Sequence, residues 1–359
     1  MINELRKESP EFVRLSLAAA MTLRFASGMF YRDTRLYCIN LLLTYSSGCV
    51  GRCSYCGLSG ERDGAYEDKS FIRVDWPVYR LTTVVERLNK YAPWVERVCI
   101  SMITNKQAVD DTITIIRHIS DGVDLPISLL VSPTIMDASI LKGFKDAGAG
   151  MIGVAIDTAT EGLFDQHRGK GVKGPHRWEK YWQVLEDAVS IFGRNKAGCH
   201  LVVGLGETER QMVETVQRVR DLGARTHLFS FYPEQGSALS DMSQADAGTY
   251  RRIQLARYLI DHDLILIDGM GFDERGQITN FGLNGSQLEE IINSGKPFQT
   301  SGCPGKTMEG ACNRPFGDGP PSDIRSFPFE LNKGDVNKVR RQMVSVGAGS
   351  KPAPTSLNK

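Results

Sequence analysis

Short apolar and β-branched runs alternate along most of the chain with longer stretches whose apolar residues recur every three to four positions. Six runs predict strands: 37–43 (YCINLLL), 98–102 (VCISM), 127–131 (ISLLV), 151–156 (MIGVAI), 199–203 (CHLVV) and 226–231 (THLFSF), with a weaker seventh at 264–268. The helical periodicity falls between them, at 78–91, 109–119, 137–147, 177–192, 209–222 and 245–262, and several of these segments close near a glycine. Six or seven βα units in series predict an α/β fold, either a parallel (β/α) barrel, partial or complete, or an open doubly wound sheet. In both architectures function sits at the carboxyl ends of the strands.

The ends of the chain break this rhythm. Residues 1–35 read as a helical lead-in, with Ser9 as N-cap and Pro10 at the first helical position before an apolar run over 15–23. Glu4, Glu8 and Glu11 precede that run, which argues against a secretory signal. The barrel is placed at 36–285, followed by a cysteine-containing extension at 286–342 and a tail at 343–359 expected to be disordered. The extension is rich in Pro and Gly around Cys303 and Cys312, so something other than regular structure must order it, and a metal centre would do so.

Composition narrows the function. With 359 residues, 41% hydrophobic and 24% charged, the chain can bury a full core, which excludes disorder and a small disulfide scaffold. Its formal net charge of +1 gives no basic excess with which to hold nucleic acid. The apolar runs fall short of the roughly 20 residues that span a bilayer. Eight cysteines in a chain read as cytoplasmic point to metal binding or redox chemistry, because the cytosol keeps thiols reduced.

The strongest chemical signal follows the first predicted strand. Cys49, Cys53 and Cys56, spaced C-x3-C-x2-C on a glycine-containing loop, can wrap one 4Fe–4S cluster and leave one iron open. The competing zinc site would want a fourth Cys or His nearby, and none stands between Cys56 and Cys99. With Tyr55 just before the last cysteine, the run resembles the signature of the radical S-adenosylmethionine (SAM) superfamily. The resemblance implies a (β/α) barrel whose open iron binds the methionyl end of SAM. The reduced cluster would then cleave SAM to methionine and a 5′-deoxyadenosyl radical that takes hydrogen from substrate. Further segments resemble SAM-binding parts of that superfamily: Gly204, Gly206 and Glu207 in the turn Val203-Gly204-Leu205-Gly206-Glu207-Thr208, Asp157 in Ile156-Asp157-Thr158, and Pro233 in the loop 231–237. The glycine turn also reads as a plain strand-to-helix connection capped by Thr208, and Asp157 as a helix cap. Arg168 is a further candidate for SAM or substrate, although the segment 166–169 reads first as a solvated loop. The usual Gly-Gly-Glu after the second strand is replaced by Ser101-Met102-Ile103-Thr104-Asn105, which leaves the SAM amine without an identified partner.

Cys99 and Cys199 match two ligand positions of the auxiliary cluster of biotin synthase. Alternate residues of each strand fill a barrel, so both can face inward, although each also reads as a small buried hydrophobe. No cysteine stands in the third predicted strand, so an intact biotin-synthase site is not expected. Cys303 and Cys312 are instead expected to serve a second iron–sulfur site, completed by Cys99 and Cys199 if the extension plugs the barrel, or otherwise by non-cysteine groups or a partner. Cys38 is assigned to the core.

Together these features resemble the biotin and lipoyl synthase branch, and within it the second subunit of the two-subunit lipoyl synthases. That resemblance implies sulfur insertion into unactivated C–H bonds of an octanoyl-lysine on a carrier protein. It also implies a sister radical SAM subunit and a low-potential donor of the ferredoxin or flavodoxin type. The alternatives are radical SAM chemistry without a sacrificial cluster, namely methylation, rearrangement or cofactor assembly, and a non-catalytic iron–sulfur protein.

Overall fold

A computed structural model describes residues 6–344 of the chain. Its eight-stranded sheet has the order β3-β1-β2-β4-β5-β6-β7-β8. The strands are β1 (Phe12–Leu15), β2 (Cys38–Leu42), β3 (Val78–Arg80), β4 (Arg97–Ser101), β5 (Ile127–Val131), β6 (Ala149–Asp157), β7 (Ala197–Val203) and β8 (Arg225–Ser230). From β2 to β8 all neighbours are parallel, whereas β1 pairs antiparallel with β2 and with β3. Six parallel strands curl into a partial barrel, and the two antiparallel strands extend one edge.

Helices α1 (Leu17–Thr22), α2 (Leu81–Tyr91), α3 (Ala108–Gly122), α4 (Ala138–Ala147), α5 (Glu161–His167), α6 (Trp178–Phe192), α7 (Glu209–Leu222) and α8 (Ala247–Asp261) precede the extension. The extension carries α9 (Gly285–Ser294) and α10 (Lys333–Val344). Local chemistry fixes several boundaries. Asp137 caps α4 by accepting from Ile140 N, and Thr208 and Gln211 form a reciprocal capping box on α7. Period-two alternation separates the faces of each strand. Asn40, Cys99, Leu130, Ala155, His200 and Phe229 face the barrel cavity, while Ile39, Ile100, Leu129, Val154, Leu201 and Leu228 are buried under the helical layer.

Three sequence expectations fail for tertiary reasons. The apolar lead-in is not one helix begun at Ser9-Pro10: residues 12–15 form β1, because their backbone pairs with β2 and β3, and α1 starts later behind Ser16, whose side chain accepts from Ala19 N. Likewise, 78–80 is strand rather than helix. The weak strand at 264–268 does not exist. Leu264 and Leu266 are each 45% exposed there, and the edge of β8 is met instead by the extension, through Leu228 N to Ser301 Oγ (3.0 Å) and Arg314 Nη2 to Leu228 O (3.3 Å). Of the expected disordered tail, Met343 and Val344 end α10 and the rest lies outside the described residues.

Arg251 of α8, fully buried, ties the extension to the barrel. It donates to Ile324 O (2.6 Å), Arg325 O, Gln254 Oε1 (2.7 Å) and Gln342 Oε1 (2.9 Å), and burial pulls its pKa down to about 10. Arg251→Met would strand two buried carbonyls, each costing roughly 1–3 kcal/mol. Urea unfolding is expected to show a loss of about 3 kcal/mol, with proteolysis entering the extension first. A loss below about 0.5 kcal/mol would contradict this anchoring.

Candidate functional site

The loop leaving β2 has no regular structure, yet it is held at many points. Asn105 donates to Ser47 Oγ (2.9 Å) and Gly48 O (3.0 Å), and Val50 N donates to Thr104 O (3.0 Å). The segment in the place of Gly-Gly-Glu therefore braces this loop. Arg14 of β1, also fully buried, donates to Trp76 O (2.6 Å), Tyr66 O (2.9 Å) and Lys69 O (2.5 Å), fixing the chain that follows. Ser54 joins His167 twice: Ser54 N donates to His167 O (2.8 Å), and Ser54 Oγ lies 2.9 Å from His167 Nδ1. The other ring nitrogen of His167 lies 3.0 Å from Leu205 O in the glycine turn. One buried imidazole thus links the cysteine loop to the end of β7.

Cys49, Cys53 and Cys56 line one cavity of about 270 Å³ together with Tyr55, Asp157, Arg168, His176 and Tyr181. Backbone N–H groups of Gly51 and Leu58 donate to Cys49 Sγ (3.3 Å) and Cys56 Sγ (3.4 Å). A Cβ on Gly51 would stand 2.9 Å from His176 Nε2 and 3.2 Å from Cys49 Sγ, so the loop needs glycine there to close around the sulfurs. Burial pushes the Cys53 thiol up to about 11 and raises Cys56 further. Three thiols on one wall, two of them receiving N–H donors, fit an iron–sulfur cluster with one open iron. Among the described residues no group of three His, Cys, Asp or Glu side chains is arranged to hold a single metal ion.

Opposite the loop lies a connected polar group. Tyr55 O–H donates to Asp157 Oδ2 (2.5 Å), which also accepts from Arg168 Nη1 (2.8 Å). Arg168 reaches on to Ala155 O, Ile156 O (3.2 Å) and Tyr181 OH (3.1 Å). His176 Nδ1 lies 2.9 Å from Tyr181 OH and 2.6 Å from Thr134 Oγ1. Asp157 sits at φ 66° next to a register shift at the end of β6, a conformation that costs a non-glycine residue roughly 1–3 kcal/mol and aims its carboxylate at the cavity. Burial raises the Tyr55 phenol far above its ordinary range, so it remains a donor.

His167, Arg168 and His176 are 4%, 6% and 2% exposed, which corrects the expectation of a solvated loop around 166–169. The Gln-His-Arg-Gly string gave no sign of this, because the burial comes from Leu205, Tyr181 and the cysteine loop. Gly204, Gly206, Glu207 and Pro233 do not line the cavity, although Phe231, Tyr232 and Glu234 do. Gly204 and Gly206 have φ of 108° and 114°, and Glu207 folds back to accept from Gly204 N (2.6 Å) and Leu205 N (2.9 Å). Burial raises the Glu207 pKa against the opposing pull of these N–H groups. Its carboxylate is occupied in shaping the turn.

At the amino end of the barrel the extension brings Cys303 and Cys312 to the same cavity as Cys99. Cys199 does not join them. It stands one residue from the cavity-facing His200, and so points away from the cavity into the buried layer outside the sheet. The cysteine that joins them is Cys38: Asn40 Nδ2 lies 3.8 Å from Cys38 Sγ and 3.9 Å from Cys312 Sγ. The strand-parity rule could have found it, since Cys38, Asn40 and Leu42 share one face.

Residues 43–219 match the family described as the radical SAM superfamily. No curated protein matches the chain. Among solved structures, the FeFe-hydrogenase maturase HydG is similar in fold at 14% identity and TM-score 0.50, over 68% of this chain and 52% of that one. HydG from Carboxydothermus hydrogenoformans aligns at 15% identity and TM-score 0.48 over 68% and 56%. Methylornithine synthase (PylB) aligns at 14% and 0.48 over 67% of each chain. The chain thus spans about half to two thirds of the length of these proteins. Among the described residues no helix is long and apolar enough to cross a membrane.

His176 gives the site a pH signature. Burial, with Arg168 and Arg177 nearby, lowers its pKa from 6.5 to about 3. Between pH 6.5 and 3 the unfolded chain therefore binds the extra proton, so stability is full above pH 6.5 and falls as pH drops through that window. One such group contributes a slope of up to about 1.4 kcal/mol per pH unit. His176→Asn is expected to flatten the pH 6 to 4 dependence of urea unfolding by about that amount, and an unchanged slope would contradict the neutral, buried assignment.

Proposed function

Because the chain belongs to the radical SAM superfamily, we propose that it is an enzyme that reductively cleaves S-adenosylmethionine and directs the resulting radical at an apolar substrate inside the barrel. The observation that carries this reading is the shared cavity of Cys49, Cys53 and Cys56 with Tyr55, Asp157 and Arg168. When bound and reduced, a 4Fe–4S cluster with one open iron supplies the electron that splits SAM and starts hydrogen abstraction from carbon. The chain's own residues hold and shield. Cys49, Cys53 and Cys56 would ligate three irons, with Gly51 and Leu58 N–H groups donating to their sulfurs. Tyr55 and Arg168 both engage Asp157 Oδ2, which leaves Oδ1 to accept from a ribose hydroxyl of SAM. Leu36, Leu42, Trp76, Leu130, Phe229 and Phe316 give the cavity an apolar lining suited to an alkyl segment and to excluding water. No general base is required, because an alkyl C–H bond has no acidity to use.

A finer reading, sulfur insertion into an octanoyl-lysine on a carrier protein with a sister subunit sharing the work, is favoured by the second group of thiols at the far end of the cavity. The alternative readings are methylation, rearrangement and cofactor assembly, in which such a group would carry electrons or bind substrate instead of donating sulfur.

Anaerobically reconstituted protein given a strong reductant and SAM is expected to release 5′-deoxyadenosine and methionine. Cys49, Cys53 and Cys56→Ala together should abolish the release. Asp157→Asn should weaken SAM binding by roughly tenfold or more, in keeping with about 1.5–3 kcal/mol for a hydrogen bond to a charged group. Wild-type protein that carries the cluster but does not cleave SAM would refute the proposal.

A further inference from the structure

Four cysteines from three separate parts of the chain meet at the amino end of the barrel. Cys38 opens β2 and Cys99 lies in β4, paired with Asn40 in the parallel register. Cys303 and Cys312 arrive from the extension in a tight loop, closed by Ala311 N to Cys303 O (2.9 Å) and Cys312 N to Cys303 O (3.3 Å). A Cβ on Gly302 would stand 2.2 Å from Cys312 O and 2.8 Å from its Cβ, so the loop is as tight as glycine permits. Asn313 fastens it to the barrel, accepting from Tyr37 N (3.3 Å) and donating to Arg35 O (2.8 Å) and Pro328 O (3.0 Å), and Arg97 donates to Pro304 O.

The polar groups around these thiols are left waiting. Ser128 Oγ, 1% exposed as a residue, lies toward both Cys99 and Cys303 as a hydrogen-bond donor and has no other partner. His227 is 4% exposed, with Nε2 3.9 Å from Cys303 Sγ and Nδ1 unpartnered. Arg314 Nε is buried without a partner while its guanidinium lies 4.0 Å over the Phe229 ring. Buried groups of this kind are costly unless something accepts from them or donates to them.

We propose that Cys38, Cys99, Cys303 and Cys312 hold a second iron–sulfur cluster, closed by four thiolates and seated at the amino end of the barrel across the cavity from Cys49, Cys53 and Cys56. Four cysteine thiolates are the usual ligand set of both two-iron and four-iron clusters. A single zinc would also take four cysteines, and metal analysis separates the two. Arg97 and Arg314, the latter already paired with Asp318 (3.3 Å), lie near these sulfurs, and Asn40, between Cys38 and Cys312, donates toward both. The site would add to Arg251 and Asn313 in fastening an extension otherwise rich in Pro and Gly. It deepens the sulfur-insertion reading, and its iron is held by residues distinct from the first three cysteines, so the two sites fail separately.

The test is iron, zinc and acid-labile sulfide content with Mössbauer spectroscopy on the anaerobically reconstituted full chain. Wild type is expected to hold about six or eight irons, a four-iron centre plus a two- or four-iron one. The variant with Cys49, Cys53 and Cys56→Ala should keep the second centre alone, at about two or four irons. Cys38→Ala and Cys312→Ala should each fall to about four, and Cys199→Ala should match wild type. If Cys38→Ala does not fold, Cys312→Ala and the triple variant still decide the matter. About four irons in wild type, all lost in the triple variant, would overturn the proposal. So would one zinc per chain lost in Cys312→Ala, or a Cys199→Ala variant that loses iron while Cys38→Ala does not.

Discussion

The ion pair between Arg168 and Asp157, 2.8 Å apart and largely out of water, is the interaction on which the rest of the site depends. Its two residues belong to different elements, Asp157 ending β6 and Arg168 following α5, and each is fixed by further partners. Asp157 receives the Tyr55 hydroxyl from the cysteine loop, and Arg168 reaches Tyr181 of α6 and two carbonyls of β6. Removing one partner from such a buried pair typically costs about 3–5 kcal/mol, because the other charge is left uncompensated. The pair therefore holds Asp157 in its left-handed conformation and sets where the cysteine loop can close.

Around that pair the barrel works as a spacer. Six parallel strands present alternate side chains to a shared interior, so residues at their two ends face one cavity from opposite sides. The cysteine loop and the polar group close the carboxyl mouth, and the extension, tied down by Arg251 and Asn313, closes the amino end. Between them the lining is largely apolar. An unactivated carbon held there would lie between two sets of thiols and away from solvent, as radical chemistry requires.

Much of this was legible in the sequence where the signal was local. The six parallel strands follow from their apolar runs, and α7 from its Thr208 cap and closing Gly223. The C-x3-C-x2-C spacing identified the loop that the structure places at the cavity. The failures share one physical origin, in that they depended on tertiary partners. Residues 12–15 are strand because β2 and β3 pair with them, and at the edge of β8 the extension stands where the sequence predicts a strand at 264–268. His167 and His176 were buried by elements far along the chain. From the sequence alone Cys199 can face inward and Cys38 reads as core, whereas period-two alternation anchored at Asn40 and His200 turns Cys199 away from the cavity and Cys38 toward it. A parity argument needs one fixed reference residue on each strand, and only the sheet register supplies it.

The central claim is that Cys49, Cys53 and Cys56 present an open iron to SAM beside Asp157. The most direct measurement is the low-temperature EPR spectrum of the reduced protein with and without SAM, taken on the Cys312→Ala variant so that the first centre is read alone. SAM coordinated to the open iron should change the g-values of the reduced cluster, and Asp157→Asn introduced into that variant should raise the SAM concentration needed for the change. A spectrum identical in the presence and absence of saturating SAM would contradict the account.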